Sequence, residues 1–368
     1  MKFQTLIIAL FAVLLTGCTA SEAVKIPGGE SYTVTVLGDV HYDGKQYHIT
    51  PEKTPARQQK RERNINQWLD KSPQLLRAAA KMSSDGVPFI IQLGDIINGG
   101  CDNAELQGAA IKDAFVTVKK FFPGKKLFTL CGNHETWGAN GAREAVDSVF
   151  VPLLKKELGS DAGTDGANYA VRYGKDLYIF YDYRTKAGNR KKTGAEFTRS
   201  VLASNQDARH IFFLTHLPIF PCSKGNPGWI VPEFKELIPL LAKHKAIVLC
   251  GHSHFWGHHI YRSGNDKLVQ FMITSIGYNW SPGTPLKERF SSYDQWKKEI
   301  NPRYFTAANQ WSTDNLKFFD NADFILYNSQ YHIPSGFVRL EVDDSKVTAH
   351  IFTDDSGKPV RSVVLKDK

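Results

Sequence analysis

Short apolar runs alternate with amphipathic stretches of helix length through most of the chain, and strand-like runs alone close it. That order predicts a layered α/β domain: a sandwich of β-sheets with helices outside. Size agrees. At 368 residues, with 42% hydrophobic and 23% charged, the chain is long enough for a large core and ordinary for a globular protein.

The elements follow in order. Residues 32–37 are a strand by β-branched content, and the run breaks at Gly38. A loop leads past Pro55 into one helix over 57–81, with Trp68, Leu69, Leu75 and Leu76 expected in the core. Residues 87–93 form the second strand, where Pro88 is tolerable because it stands at the start. A helix over 104–121 precedes an apolar run that breaks at Gly132. Another helix covers 141–158, and a hairpin over 169–173 and 177–183 turns at Gly174-Lys175. Then come a helix at 194–204, an apolar run after His210, an amphipathic helix at 231–244 and strands at 246–250 and 267–276. The segment 282–331 is polar, aromatic-rich and weakly periodic, and reads as an excursion packed near a site mouth. Residues 336–341, 346–352 and 360–365 alternate as closing strands.

What stands at the strand ends carries the chemistry. Five apolar runs finish in Asp39 and His41, Asp95 and Asn98, Asn133 and His134, His216, and His252 and His254. In open α/β sheets ligands bind beyond the carboxyl ends of strands. Four of the five runs pass through a glycine, which allows a tight turn and a close backbone approach. The metal-binding groups are oxygens and imidazoles, with no thiolate among them. Such a set with a shared carboxylate suits two divalent cations about 3.5–4 Å apart. Taken singly, each residue has a plainer reading: Asp39 and Asp95 as helix caps, His216 as a loop histidine.

Together the blocks resemble the calcineurin-like metallophosphoesterase superfamily. They stand as Asp39-Val40-His41, Gly94-Asp95-Ile96-Ile97-Asn98, Gly132-Asn133-His134-Glu135, His216 and Gly251-His252-Ser253-His254, in the family's order. The resemblance implies a four-layer sandwich of two mixed β-sheets flanked by helices. It implies that Asp39, His41, Asp95 and His254 hold one metal and that Asp95, Asn133, His216 and His252 hold the other. It further implies hydrolysis of a phosphomonoester or phosphodiester by a metal-bound hydroxide. His134 would be the general acid and Asn98 the neighbour that orients it. The ions would be divalent or trivalent, with Mn, Fe, Zn and Co all compatible. Ile97 and Asn98 replace the tyrosine pattern of purple acid phosphatases, so a tyrosinate-iron site is not implied. Asn98-Gly99 stands where Ser/Thr protein phosphatases carry Asp-Arg, which argues against that branch. Tyr42, Trp137, Tyr183, Phe255, Tyr278 and Trp280 follow motif blocks or strand ends and are candidates for the pocket lining. Two other readings stay open: a non-catalytic metal-binding or scaffold member, and a nuclease-type phosphodiesterase.

The first residues read as a targeting segment. Lys2 precedes an apolar stretch over 6–15, then Thr16-Gly17-Cys18. Leu15-Thr16-Gly17-Cys18 resembles the bacterial lipobox, implying a signal peptide over 1–17 and lipidation of Cys18; an ordinary secretory signal is the alternative. Residues 18–30 then read as a tether and 31–368 as the domain, exported and anchored in the cell envelope, on the outer membrane or facing the periplasm. In that oxidising setting a bridge between Cys101 and Cys222 is permitted, while Cys131 and Cys250 read as buried small hydrophobes. The net charge of +9 favours anionic substrates. Its densest run, Lys53, Arg57, Lys60, Arg61 and Arg63, reads as a solvated helix face, so a nucleic-acid partner is not expected.

Overall fold

A computed structural model describes residues 23–83, 86–138, 141–159, 164–183, 192–221, 229–277, 289–290, 298, 315, 317–319, 323–327 and 335–367. Its strands form two mixed sheets. The smaller runs in the order Arg361–Lys366, Val347–Phe352, Phe337–Val342, Tyr32–Leu37, Phe89–Gln92, Lys126–Thr129. The last three are parallel, and the closing strands add to them antiparallel. The larger is ordered Val24–Ile26, Asn168–Tyr173, Asp176–Tyr181, Ile211–Thr215, Ile247–Cys250, Asp266–Met272, Gly257–Ser263, Asp323–Tyr327, Arg289–Phe290. Its centre, from Asp176–Tyr181 to Asp266–Met272, is parallel. Within the parallel centres, Phe89–Gln92, Asp176–Tyr181, Ile211–Thr215 and Ile247–Cys250 are fully buried and read as largely apolar runs, as covering on both faces requires.

The period-2 alternation of the larger sheet divides its side chains between two cores. Tyr169, Val171, Tyr178, Phe180, Phe212 and Leu214 face the smaller sheet. Ala170, Leu177, Ile179, Tyr181, Ile211 and Phe213 face the helices Gly194–Ser204 and Phe234–Lys243. Helices Ser72–Lys81 and Ala104–Phe121 share the first core with the smaller sheet. The result is the expected four layers. Between the sheets the rings stack: Tyr169 on Phe180 at 4.2 Å and Tyr178 on Phe212 at 4.6 Å.

At the amino ends of the parallel strands a polar network ties the sheets together. Tyr32 donates its hydroxyl to Asp176 at 2.8 Å and lies 2.6 Å from the Tyr178 hydroxyl. The Arg209 guanidinium forks onto the buried Asp176 carboxylate, through Nε at 2.9 Å and Nη2 at 2.5 Å. The His210 imidazole donates to the carbonyl of Asp343 at 2.7 Å.

Four local expectations change. The single helix over 57–81 is two, Pro55–Asp70 and Ser72–Lys81. Pro73 occupies the first turn of the second, a position it favours and from which it cannot continue a preceding helix. Leu69 lies off the buried face of the first helix, which is marked by Ile65 and Trp68, and is 59% exposed rather than core. The stretch read as a tether reaches into the fold, because Val24–Ile26 pairs in parallel with Asn168–Tyr173 as an edge strand. Gly257–Ser263, not anticipated, is a strand forming a hairpin with Asp266–Met272, with Gly264 at positive φ in the turn. Residues 1–22, Cys222, Tyr278, Trp280 and most of 282–331 lie outside the described residues. Cys101, Cys131 and Cys250 are buried. Among the described residues no helix is long and apolar enough to cross a membrane.

Candidate metal centre

The loops that leave Tyr32–Leu37 and Phe89–Gln92 are zipped together. Val40 and His41 both donate backbone N–H groups to the Asp95 carbonyl, Tyr42 donates to Ile96, and Asn98 donates back to Tyr42. The buried Glu135 carboxylate accepts the N–H groups of Asp95 at 3.0 Å and Ile97 at 3.1 Å, and also that of Gly132. Glu135 thus clamps the second and third motif blocks against each other. Burial, with Asp95 alongside, holds its carboxyl above the usual carboxylate range. Gly132 and Gly251 are needed for closeness: a Cβ at either would stand 2.1 Å from Asp95 Oδ1 or 2.3 Å from Asp39 Oδ1.

These loops bring the predicted residues into two groups. Asp39, His41, Asp95 and His254 converge in one, and Asp95, His216 and His252 in the other. Asp95 belongs to both. In the first, His254 Nε2 lies 2.9 Å from Asp39 Oδ2 and 2.9 Å from His41 Nε2. In the second, Asn133 Oδ1 lies 3.0 Å from His216 Nε2 and 2.8 Å from His252 Nδ1, so the Asn133 amide joins the set. His216 Nδ1 donates to the Leu93 carbonyl at 2.8 Å, which fixes the tautomer and aims Nε2 inward.

Three observations fit this donor set to cations. First, Asp95 Oδ2 is buried and accepts no hydrogen bond among the described residues, although His216 Nε2 lies 3.2 Å away. A buried carboxylate oxygen without a partner is costly unless an ion meets it. Second, the electrostatics call for positive charge. Burial alone would lower the His216 imidazole, but the Asp95 and Asp39 carboxylates outweigh burial and push it up to about 10. His41 and His252 go the other way, held well below the usual histidine value by burial and by neighbouring imidazoles, and so are in the neutral form that ligates. Third, the backbone is strained at the ligands. Five non-glycine residues have positive φ among those described, and four are His41 at 51°, Asp95 at 51°, His252 at 70° and His254 at 54°. Each such residue costs about 1–3 kcal/mol, and such strain gathers at functional sites.

His134 stands apart from both groups. Its backbone N–H donates to Asp95 Oδ1 at 2.8 Å, and its ring Nε2 is 3.8 Å from Asp95 Oδ2. Its Nδ1 meets the backbone carbonyl of Asn98. Asn98, the neighbour expected to orient His134, thus meets the ring through its backbone carbonyl and not through its side-chain amide. That amide turns away and donates to Asp43 Oδ2 at 2.8 Å. The buried Asp43 also accepts from Gly44 N at 2.8 Å and pairs with His48 Nε2 at 2.7 Å. Asp43 and Glu135 are supporting residues that the sequence reading did not single out. An acidic residue at each position of a turn is too common a signal to raise either.

Of the pocket-lining candidates, Trp137 is exposed beside His134, and Tyr183 stacks at 6.4 Å from His216. Tyr42 instead packs against Trp68, and Phe255 against Cys250 and Met272. Trp229, missed in the sequence because it follows Gly228 rather than a motif block, lies 4.7 Å from the His252 ring. Of the basic run, Arg61 is occupied by Glu52 and by the Thr50 carbonyl.

Residues 32–255 match the family described as calcineurin-like phosphoesterase. Among solved structures, a dimetal phosphatase from Danio rerio superposes with a TM-score of 0.52 at 12% identity, over 92% of this chain and 100% of that one. A purple acid phosphatase from yellow lupin (Lupinus luteus) seeds gives 0.55 at 15%, over 93% of this chain and 55% of that one. The structure of PhoD gives 0.51 at 14%, over 92% and 69%. At these identities the likeness is one of fold. No curated protein sequence matches the chain. With five motif blocks in order and a match covering most of the fold, the chain belongs to the calcineurin-like phosphoesterase family, whose members are metal-dependent phosphoester hydrolases.

Proposed function

We propose that this chain hydrolyses a phosphoester outside the cytoplasm, with Asp39, His41, Asp95 and His254 holding one cation and Asp95, Asn133, His216 and His252 the other. The observation that carries the reading is the sharing of Asp95 between two converging ligand groups. When bound, the cation pair supplies an acidified water and positive charge against the phosphoryl oxygens.

This chain's residues do the rest. The buried Asp39 and Asp95 carboxylates set the charge of the site, and Asn133 adds a neutral oxygen. With Nδ1 of His134 held by the Asn98 carbonyl, Nε2 is the nitrogen left to carry a proton. His134 is the general acid of this reading, delivering that proton to the oxygen that leaves phosphorus. The Asp43–Asn98 hydrogen bond fixes the loop that presents the carbonyl. Mn, Fe and Zn all suit the donors. Export and anchoring through a lipidated Cys18 are supported by residues 1–18 of the sequence alone.

The test uses the soluble chain stripped of metal and refilled with Mn, Zn or Fe, assayed on paired aryl phosphomonoesters and phosphodiesters. Turnover that appears only on refilling, with two ions bound per chain, is the expected result. Two bound ions without turnover on any ester would favour a binding protein instead.

A further inference from the structure

Four tryptophans lie among the described residues, and they divide sharply. Trp68 and Trp256 are buried, whereas Trp137 and Trp229 are 59% and 55% exposed. Both exposed rings lean on imidazoles of the metal centre. Trp137 lies 5.3 Å from the His134 ring, and Trp229 lies 4.7 Å from the His252 ring. Each attends a different end of the site. His134 packs at 4.7 Å against His41 of the first ligand group, and His252 belongs to the second.

Neither ring is a loose surface side chain. The Trp137 carbonyl accepts from Gly100 N at 3.0 Å, and a Cβ on Gly100 would stand 3.0 Å from the Trp137 ring. Trp229 is followed at once by the buried Ile230 and Val231, and Val231 N donates to the Pro218 carbonyl at 2.9 Å. Both tryptophans are therefore anchored by neighbouring backbone, rest on site imidazoles and leave wide apolar faces in water at the mouth of a hydrolytic site. Exposed apolar surface of that kind marks a place where a ligand lies.

We infer that Trp137 and Trp229 are two ring-binding subsites, and that the substrate is a phosphodiester with a flat aromatic or heteroaromatic ring on each ester arm. The inference rests on the phosphoesterase reading and narrows it. In-line displacement puts the leaving arm on the side of the proton donor, so the arm released by His134 falls beside Trp137. A phosphomonoester has no second organic arm and would leave Trp229 idle. A diester has one, and it remains on phosphorus. In the step, the water oxygen bonds to phosphorus and the P–O bond to the Trp137-side arm breaks. The departing oxygen takes a proton from His134, and a water proton goes to solvent. The products are an alcohol or phenol and a phosphomonoester retaining the Trp229-side arm.

The test holds the leaving group constant. Bis(4-nitrophenyl) phosphate, methyl 4-nitrophenyl phosphate and 4-nitrophenyl phosphate all release 4-nitrophenolate, but only the first has a ring on the retained arm. Stacking on one aromatic side chain is worth roughly tenfold or more. Trp229→Ala is expected to cut the ratio of kcat/KM between the bis-aryl and the methyl diester about tenfold, mainly through KM, and Trp229→Phe to restore most of it. Trp137→Ala is expected to lower kcat/KM for all three substrates together. An unchanged ratio in Trp229→Ala, or no loss on any of the three substrates in Trp137→Ala, would overturn the assignment. Should the refilled wild type turn over none of them, the phosphoesterase reading fails first. Binding of diphenylphosphinate against dimethylphosphinate by calorimetry then decides the subsites alone: a preference lost in Trp229→Ala supports them, and equal binding removes them.

Discussion

Replacing Asp95 by asparagine is expected to cost at least about 10³-fold in kcat and to reduce the bound ions from two per chain to one or fewer. Asp95 is the one side chain common to both ligand groups, and among the described residues its buried Oδ2 accepts no hydrogen bond. Asparagine keeps the shape and can keep the contact of Oδ1 with the His134 N–H, so the loop has no reason to move. What it removes is the negative charge that both cations would share. Kinetics and an ion count on the same preparation check it. Two ions per chain with kcat within tenfold of wild type would show that Asp95 does not bridge.

His134→Ala should leave ion content intact, because His134 lies outside both groups. Its expected effect depends on the leaving group. An alkyl phosphoester needs its departing oxygen protonated, and loss of a general acid costs about 10²–10⁴-fold there. A 4-nitrophenyl ester leaves as a stabilised phenolate and should lose far less. Parallel losses on both esters would mean that His134 acts by holding the Asp95–Asn98 loop, through its ring Nδ1 on the Asn98 carbonyl, or by binding substrate, rather than by donating a proton.

Much of this was legible in the sequence because each ligand follows directly on an apolar run. The run marks a buried strand, and the break marks its carboxyl end, so Asp39, Asp95, Asn133, His216 and His252 could be placed at one edge before any pairing was known. What the sequence could not convey is which atom of a residue acts. Asn98 was identified as the neighbour of His134, yet it is the backbone carbonyl that meets the ring and the side chain that reaches Asp43. Long-range support was equally hidden. Glu135 accepts N–H groups from residues up to 40 positions away, and Trp229 reaches the site from a loop with no motif of its own. Two errors were local: Pro73 divides one apparent helix, and Leu69, next to the buried Trp68, turns away from the core.

The two sheets are fastened to each other at opposite ends by unlike means. At the amino ends the fastening is built from the chain's own side chains, with Tyr32, Asp176 and Arg209 sharing hydrogen bonds that need no visitor. At the carboxyl ends each ligand group draws from both sheets: Asp39, His41 and Asp95 follow strands of the smaller, and His216, His252 and His254 follow strands of the larger. A chelator should therefore loosen the sandwich like a book held at its spine. Backbone amides of the ligand loops would exchange faster while those around Tyr32 and Asp176 stay protected. Uniform deprotection along both sheets would instead mean that the sheets part as one unit. Under the hinge-like outcome, an ion-free chain keeps its sheets and its shape, and an open mouth is ready to be refilled.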